Sequence, residues 1–125
     1  AGVPPSISWL PPGGDIKAMD RKKADKYKQW LRVRFVRPDG WMVSLGDETD
    51  VDVYWAETYD RRFGVTYFGH QPWIQASPKI FPNAVGLDTG CVFGGFLTAA
   101  VLDGESVSYV SVKAHAKYAV GLWDE

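Results

Sequence analysis

The sequence predicts an α+β fold, and three observations predict it. Helical spacing of apolar residues is limited to a stretch near the start of the chain, a shorter one mid-chain and a short tail. Most of the remainder breaks into short apolar runs of strand type. Two of these runs are followed by turn signals, Pro38-Asp39-Gly40 and Asp103-Gly104, that fold a strand back on itself. The 125 residues are the length of one domain. No linker, internal repeat or low-complexity segment divides them.

Residues 1–15 read as loop, punctuated by Pro4-Pro5, Pro11-Pro12 and Gly13-Gly14, with Ile7, Trp9 and Leu10 available for burial. Asp15 is the N-cap candidate for a helix over 16–31, in which Ile16, Met19, Lys23, Tyr27, Trp30 and Leu31 recur at steps of three and four. Lys17, Arg21, Lys22, Lys23, Lys26 and Lys28 read as its solvated face, with a polyanion patch as the alternative. Residues 32–45 read as a hairpin around Pro38-Asp39-Gly40, and residues 46–50 as an exposed acidic loop. A short helix is expected over 53–62, carrying Trp55, Ala56 and Tyr59, with Gly64 as its C-cap. Residues 71–82 read as a proline-rich loop in which Trp73 and Ile74 wall a pocket or cover the core. Residues 96–102 and 107–112 form a second hairpin, and the tail from Lys113 forms a short helix through Ala114, Tyr118 and Leu122.

Two places share one grammar. Val65-Thr-Tyr-Phe68 is a strand-type run that stops at Gly69-His70, and Ala84-Val-Gly-Leu87 stops at Asp88 before a glycine-rich turn. Gly69 lets the backbone turn or something approach closely, so His70 projects from a strand end. Two polar tips delivered by two strands suit an active site at one edge of a sheet. The residues alone leave a catalytic role, a metal-binding role and an ordinary surface histidine all open.

Composition narrows the classes. With 14 Lys and Arg against 15 Asp and Glu, no dominant nucleic-acid footprint is expected. No apolar stretch is long enough to span a bilayer, and Ala1-Gly-Val-Pro-Pro5 lacks the basic and apolar regions of a signal peptide. The single cysteine, Cys91, excludes an internal disulfide and a cysteine zinc cluster; it fits a reducing compartment, so a cytoplasmic location is expected. With only His70 and His115, any metal site must lean on carboxylates.

Phe68-Gly-His-Gln-Pro72, followed by Gly86-Leu-Asp-Thr-Gly-Cys-Val-Phe-Gly-Gly-Phe-Leu-Thr-Ala99, resembles the calcineurin-like metallophosphoesterases. The nearest branch is similar to diadenosine tetraphosphatase, its PrpE-type relatives and the phosphatase module of bacterial polynucleotide kinase-phosphatase. Trp55-Ala-Glu57 fits the same branch, and the resemblance runs from about Trp55 to Val112. It implies a phosphoester hydrolase built as a β-sandwich flanked by helices in α/β/β/α layers. It also implies two divalent cations (manganese, iron or zinc) that activate a water and neutralise the phosphate. His70 becomes a metal ligand, while Gly69 and Asp88 stand behind it, Asp88 as a supporting or turn-forming residue. Cys91 becomes a buried, inert thiol beside the glycine-rich turn. The implied substrate is a phosphorylated nucleotide, protein or nucleic-acid end.

The family's other motifs, Asp-x-His, Gly-Asp-x-x-Asp-Arg-Gly and Gly-Asn-His-Glu, are absent; Gly14-Asp15 and Gly46-Asp-Glu-Thr-Asp50 are only echoes of them. Residues 1–125 therefore read as the C-terminal half of one such domain, inactive without an N-terminal half supplied by the parent chain or a partner. The alternatives are a non-catalytic scaffold derived from that fold and, more remotely, thiol chemistry at Cys91. Ala1-Gly2-Val3-Pro4-Pro5 resembles the stretch directly after a further ligand histidine in the family. The resemblance implies that the polypeptide continues upstream and that Gly2 lies near His70.

Overall fold

A computed structural model of the chain describes residues 2–4, 20–44 and 46–121. These residues form an α+β structure of two α-helices and three small sheets. The chain divides into two compact units, Ala1–Thr66 with Pro82–Ala84, and Tyr67–Phe81 with Val85–Glu125. Among the described residues no helix is long and apolar enough to cross a membrane.

In the first unit, α1 spans Arg21–Arg32. Asp20 caps it: its backbone is extended, and its carboxylate accepts the Lys23 N–H at 3.0 Å. A helix through residues 16–31 was expected, but an extended residue at 20 ends any such run. An aspartate side chain competes for the free N–H groups of a first turn, which makes it a better start than an interior residue. Residues 16–19 and the expected cap, Asp15, lie outside the described residues. Tyr27, Gln29 and Trp30 are half-buried, and the Trp30 ring lies 5.5 Å from that of Phe63. Arg21, Lys22, Lys23, Lys26 and Lys28 line the helix largely in solvent, as a solvated face requires.

The expected hairpin forms in shortened form. β1 (Phe35–Val36) bridges Met42 across the Pro38-Asp39-Gly40 turn, and the Val43 N–H returns to the Phe35 carbonyl at 2.9 Å. Its main partner is β2 (Val53–Tyr54), antiparallel, with Phe35 opposite Tyr54 and Val36 opposite Val53. The helix expected over 53–62 is therefore corrected: its first two residues are strand and α2 is only Trp55–Thr58. Val53 is β-branched and finds a partner strand, so pairing overrides the helical spacing. Gly64 does not cap α2; the cap position is Tyr59, and Gly64 closes a separate turn onto the Arg61 carbonyl at 2.8 Å. Val3, Val33, Val36, Val43, Trp55, Ala56 and Tyr59 make the core of this unit. Residues 46–50 are an exposed loop.

The second unit carries most of the sheet of β3 (Thr66–Phe68), β4 (Lys79–Ile80) and β5 (Ala84–Gly86), in the order β3-β5-β4. β4 pairs antiparallel with β5, Lys79 opposite Gly86 and Ile80 opposite Val85. Residues 71–82 are thus not wholly loop. Pro78 and Pro82 flank the paired residues without interrupting them, which is where a sheet tolerates proline. Trp73 serves the core: its ring sits 5.9 Å from both Phe68 and Phe81. Beyond a 3-10 turn at Cys91–Phe93, β6 (Phe96–Asp103) and β7 (Ser106–Lys113) form an unbroken eight-residue hairpin whose turn is Gly104-Glu105, one residue past the expected Asp103-Gly104, because Asp103 pairs with Ser106.

The expected tail helix is absent from the described residues; Leu122 lies outside them. The N–H groups of Tyr118 and Ala119 both reach the Val92 carbonyl, at 2.8 and 2.9 Å, and that of Ala114 reaches the Gly95 carbonyl at 2.8 Å. These donors are spent on the glycine-rich turn and cannot make helical bonds.

Candidate functional site

β3 and β5 lie side by side, and the Leu87 N–H donates to the Phe68 carbonyl at 2.9 Å, one residue past the end of β5. Both strands then stop, so Gly69-His70 and Asp88-Thr89 leave the sheet next to each other. The structure brings together the three residues singled out in the sequence: His70, Gly69 and Asp88.

Their division of labour differs from expectation. Gly69 was expected to make the sharp turn, but His70 makes it, with φ of 74°. Gly69 does not adopt a left-handed φ, and a Cβ placed there would meet nothing nearer than the Asp88 Cβ at 3.9 Å, an ordinary contact. A non-glycine residue in the left-handed region is uncommon, although histidine is among those that enter it more often. Such a conformation costs about 1–3 kcal/mol and persists where neighbours hold it.

The neighbour is Asp88. Its Oδ2 accepts the His70 N–H at 3.1 Å, and its Oδ1 accepts the Gly90 N–H at 3.1 Å. The second bond is an Asx-type turn onto the residue two positions on. The Asp88 backbone carbonyl accepts the Trp73 N–H at 2.9 Å. One half-buried aspartate thus ties the His70 turn, the following loop and the glycine-rich turn together. The imidazole-bearing residue itself is exposed.

The glycine-rich turn is built by close backbone approach. A Cβ on Gly95 would run into the Thr89 carbonyl oxygen and stand 2.8 Å from that of Gly90, so no other residue fits without a shift. Thr89, fully enclosed, bonds to the Phe96 carbonyl at 2.7 Å and to the Thr98 hydroxyl at 2.6 Å, and Thr98 bonds to Ser111 at 2.7 Å. Three hydroxyls in a row satisfy one another and fasten the turn to β6 and β7. Lys113 closes the far side, with its Nζ 2.6 Å from the Gly94 carbonyl and 4.8 Å above the Phe96 ring. Thr89, Thr98, Ser111 and Lys113 were not singled out in the sequence. For Thr89 and Thr98 the signal was their place within the stretch from Gly86 to Ala99; Ser111 and Lys113 carried none.

Beside the turn runs an open groove of about 400 Å³, lined by Tyr67, Phe68, Leu87, Cys91, Phe96 and Leu97 among others. Cys91 is therefore half-buried and lines this groove, which corrects the fully buried thiol expected there. It opens the 3-10 turn, and the tight glycine geometry on either side keeps it near the surface. His115, the partner that thiol chemistry would need, is exposed beyond β7. Burial raises the Tyr109 pKa, and the neighbouring Tyr67 adds to the rise.

Among the described residues no three His, Cys, Asp or Glu side chains are grouped closely enough to hold a metal ion. The donors present do not by themselves fit a metal centre. His70 offers one ligand, and both Asp88 oxygens are engaged with backbone N–H groups.

No protein-family model matches the chain. Curated relatives do. The chain is 38% identical over 93 residues, covering 69% of its length, to the symmetrical bis(5'-nucleosyl)-tetraphosphatase of Janthinobacterium sp. (strain Marseille), of which it spans 33%. It is 42% identical over 66 residues to the asymmetrical bis(5'-nucleosyl)-tetraphosphatase PrpE of Halalkalibacterium halodurans, covering 53% of the chain and 25% of the relative. It is 42% identical over 77 residues to the symmetrical enzyme of Ralstonia nicotianae, covering 55% of the chain and 26% of the relative. The chain thus spans a third or less of the length of these relatives. Through its C-terminal part, the chain is a homologue of the bis(5'-nucleosyl)-tetraphosphatases, members of the calcineurin-like metallophosphoesterase superfamily.

Proposed function

We propose that this chain is the C-terminal half of a metal-dependent phosphoester hydrolase that cleaves a nucleoside polyphosphate. In this reading the domain is a layered β-sandwich, and its N-terminal half comes from the parent chain or a partner. The observation that carries the proposal is His70: an exposed histidine at the end of a strand, in an unfavourable backbone conformation held by a specific carboxylate. Strain of this kind concentrates at functional sites. Arg61, at φ 65°, shares this conformation, so what sets His70 apart is the Asp88 carboxylate that holds it at the strand end.

His70 supplies one ligand to a centre of two divalent cations, manganese, iron or zinc, whose other ligands lie in polypeptide outside this sequence. Bound metals of this kind activate a water and neutralise a phosphate. This chain's part is to present the imidazole and to keep the glycine-rich turn rigid beside it. The relatives' names favour a nucleotide over a phosphoprotein or a nucleic-acid end as substrate. A non-catalytic scaffold is the second reading, and the absence of a three-donor group among the described residues favours it.

The test is His70→Ala in the polypeptide that carries this chain, assayed on diadenosine tetraphosphate and on p-nitrophenyl phosphate. A loss of about two or more orders of magnitude on both substrates, with an unchanged circular dichroism spectrum, is expected when a ligand of a catalytic metal is removed. Near-normal turnover sinks the ligand assignment. A wild-type polypeptide with no turnover and no bound metal establishes the scaffold reading.

A further inference from the structure

We propose that α1 is a docking surface for duplex nucleic acid, which its cationic side chains hold by the phosphate backbone without reading the sequence. The inference stands apart from His70 and from the hydrolase reading.

The charge is local, and the near balance of the whole chain conceals it. The chain has 14 Lys and Arg against 15 Asp and Glu. The 12 residues of α1 hold six of those cations, Arg21, Lys22, Lys23, Lys26, Lys28 and Arg32, against one carboxylate, Asp25. All six are exposed. Asp25 lies 3.5 Å from Lys28, and that pair stands open to solvent, where an ion pair is screened and weak.

A helix charged for its own stability would look different. The positive end of the helix dipole lies at its first turn, where carboxylates stabilise and cations repel. Beyond the Asp20 cap, α1 has no acidic residue in that turn and opens on Arg21, Lys22 and Lys23. Further along, Lys22 and Lys26 stand four residues apart, as do Lys28 and Arg32, so like charges meet on one side. An ordinary solvated face mixes the two signs. Here local rules are broken with no gain to the fold, and such breaks concentrate at surfaces that serve a function.

An extended line of negative charge relieves this repulsion. From Arg21 to Arg32 the helix runs about 17 Å, a span that matches a polymer of phosphates better than one small anion. The side chains of α1 point to a duplex. Its aromatic rings, Tyr27 and Trp30, are half-buried, and Trp30 packs on Phe63, so they offer no stacking platform for unpaired bases. Gln29, the one side-chain amide of α1, is half-buried as well, which leaves the contacts to phosphate. A surface that holds by charge alone favours the densest charge, and a duplex carries one phosphate per about 1.7 Å of its axis.

The test uses the polypeptide that carries this chain. It is titrated into a fluorescein-labelled DNA duplex of about 20 base pairs, longer than the helix, and anisotropy is read at several salt concentrations. A dissociation constant of about 10⁻⁶–10⁻⁴ M is expected near physiological salt, with log K falling against log salt at a slope of about −3 to −4. Arg21→Glu with Lys22→Glu is expected to weaken binding about 10- to 100-fold at low salt. The same double variant is expected to melt at a higher temperature, because it places carboxylates in the first turn. Lys26→Gln is expected to flatten the salt slope by about 1.

Circular dichroism checks that each variant folds; should the double variant unfold, the slope of Lys26→Gln decides alone. A wild-type polypeptide that fails to bind the duplex at low salt overturns the proposal. Unchanged affinity in the folded double variant, or an unchanged slope in Lys26→Gln, overturns it too. Tighter binding to the single strand, or to vesicles of phosphatidylserine, overturns the choice of a duplex as partner.

Discussion

Thr89 is an unremarked residue in the sequence and among the most enclosed in the fold. Its hydroxyl satisfies the Phe96 carbonyl and begins the chain through Thr98 to Ser111. Thr89→Val keeps the volume and removes the hydroxyl, leaving buried acceptors short of a partner. A loss of about 1–3 kcal/mol is expected from the shift in denaturant midpoint. Thr98→Val breaks the same chain, so the double variant is expected to lose less than the sum of the two. Strict additivity would show that the hydroxyls do not act together. At this scale the sequence revealed which residues matter at the strand end but not how they share the work. His70 was legible because a strand-type run ended on it. That it takes the turn and Gly69 does not could not be read there. A positive φ at one residue is decided by where a carboxylate 18 positions away comes to lie.

Among the elements, α1 depends on its start. Asp20 supplies a side-chain acceptor to the Lys23 N–H, and no acidic residue in the first turn adds to it. Asp20→Ala is expected to cost about 0.5–2 kcal/mol, checked by denaturant titration with far-ultraviolet circular dichroism. Unchanged stability would mean that the first turn is held by other contacts. Elements defined by strong local signals formed where they were read: the β6–β7 hairpin, with its turn one residue on at Gly104-Glu105, and β3 and β5 where apolar runs stop at small residues. Two of those that failed did so for one reason. Val53-Tyr54 and the segment from Ala114 to Ala119 each satisfy backbone groups against a distant segment. Neighbouring residues carry no record of such partners.

Among the described residues, the β6–β7 hairpin carries apolar side chains that stand exposed. On one face of the β6–β7 hairpin stand Leu97, Ala99 and Val101, and across from them Val112, Val110 and Ser108. Leu97 is 64% exposed, Val112 57%, Val110 53% and Val101 46%. A strand face of this composition is normally buried, and a two-stranded sheet with free edges invites further pairing. The 125-residue chain expressed alone is therefore expected to self-associate. Sedimentation velocity over a range of concentrations should show this, and Leu97→Lys with Val110→Lys should reduce it. A monomeric wild-type chain that melts cooperatively would contradict the expectation and remove one support for a missing half.

The sequence by itself determined the α+β class, the two strand ends that deliver His70 and Asp88, the β6–β7 hairpin and the kinship with the tetraphosphatases. Each of these is written in residues close together along the chain. Apolar runs, turn dipeptides and a contiguous motif act through local geometry, and local geometry is what a sequence encodes most directly. Only the tertiary structure decided that His70 takes the strained turn, that Asp88 grips two backbone N–H groups at once, that Thr89 begins a buried chain of hydroxyls, and that Cys91 borders a groove. These depend on which segments meet. Polar groups can be buried without penalty only where a partner stands ready, a condition set by the whole fold and by no single stretch of it.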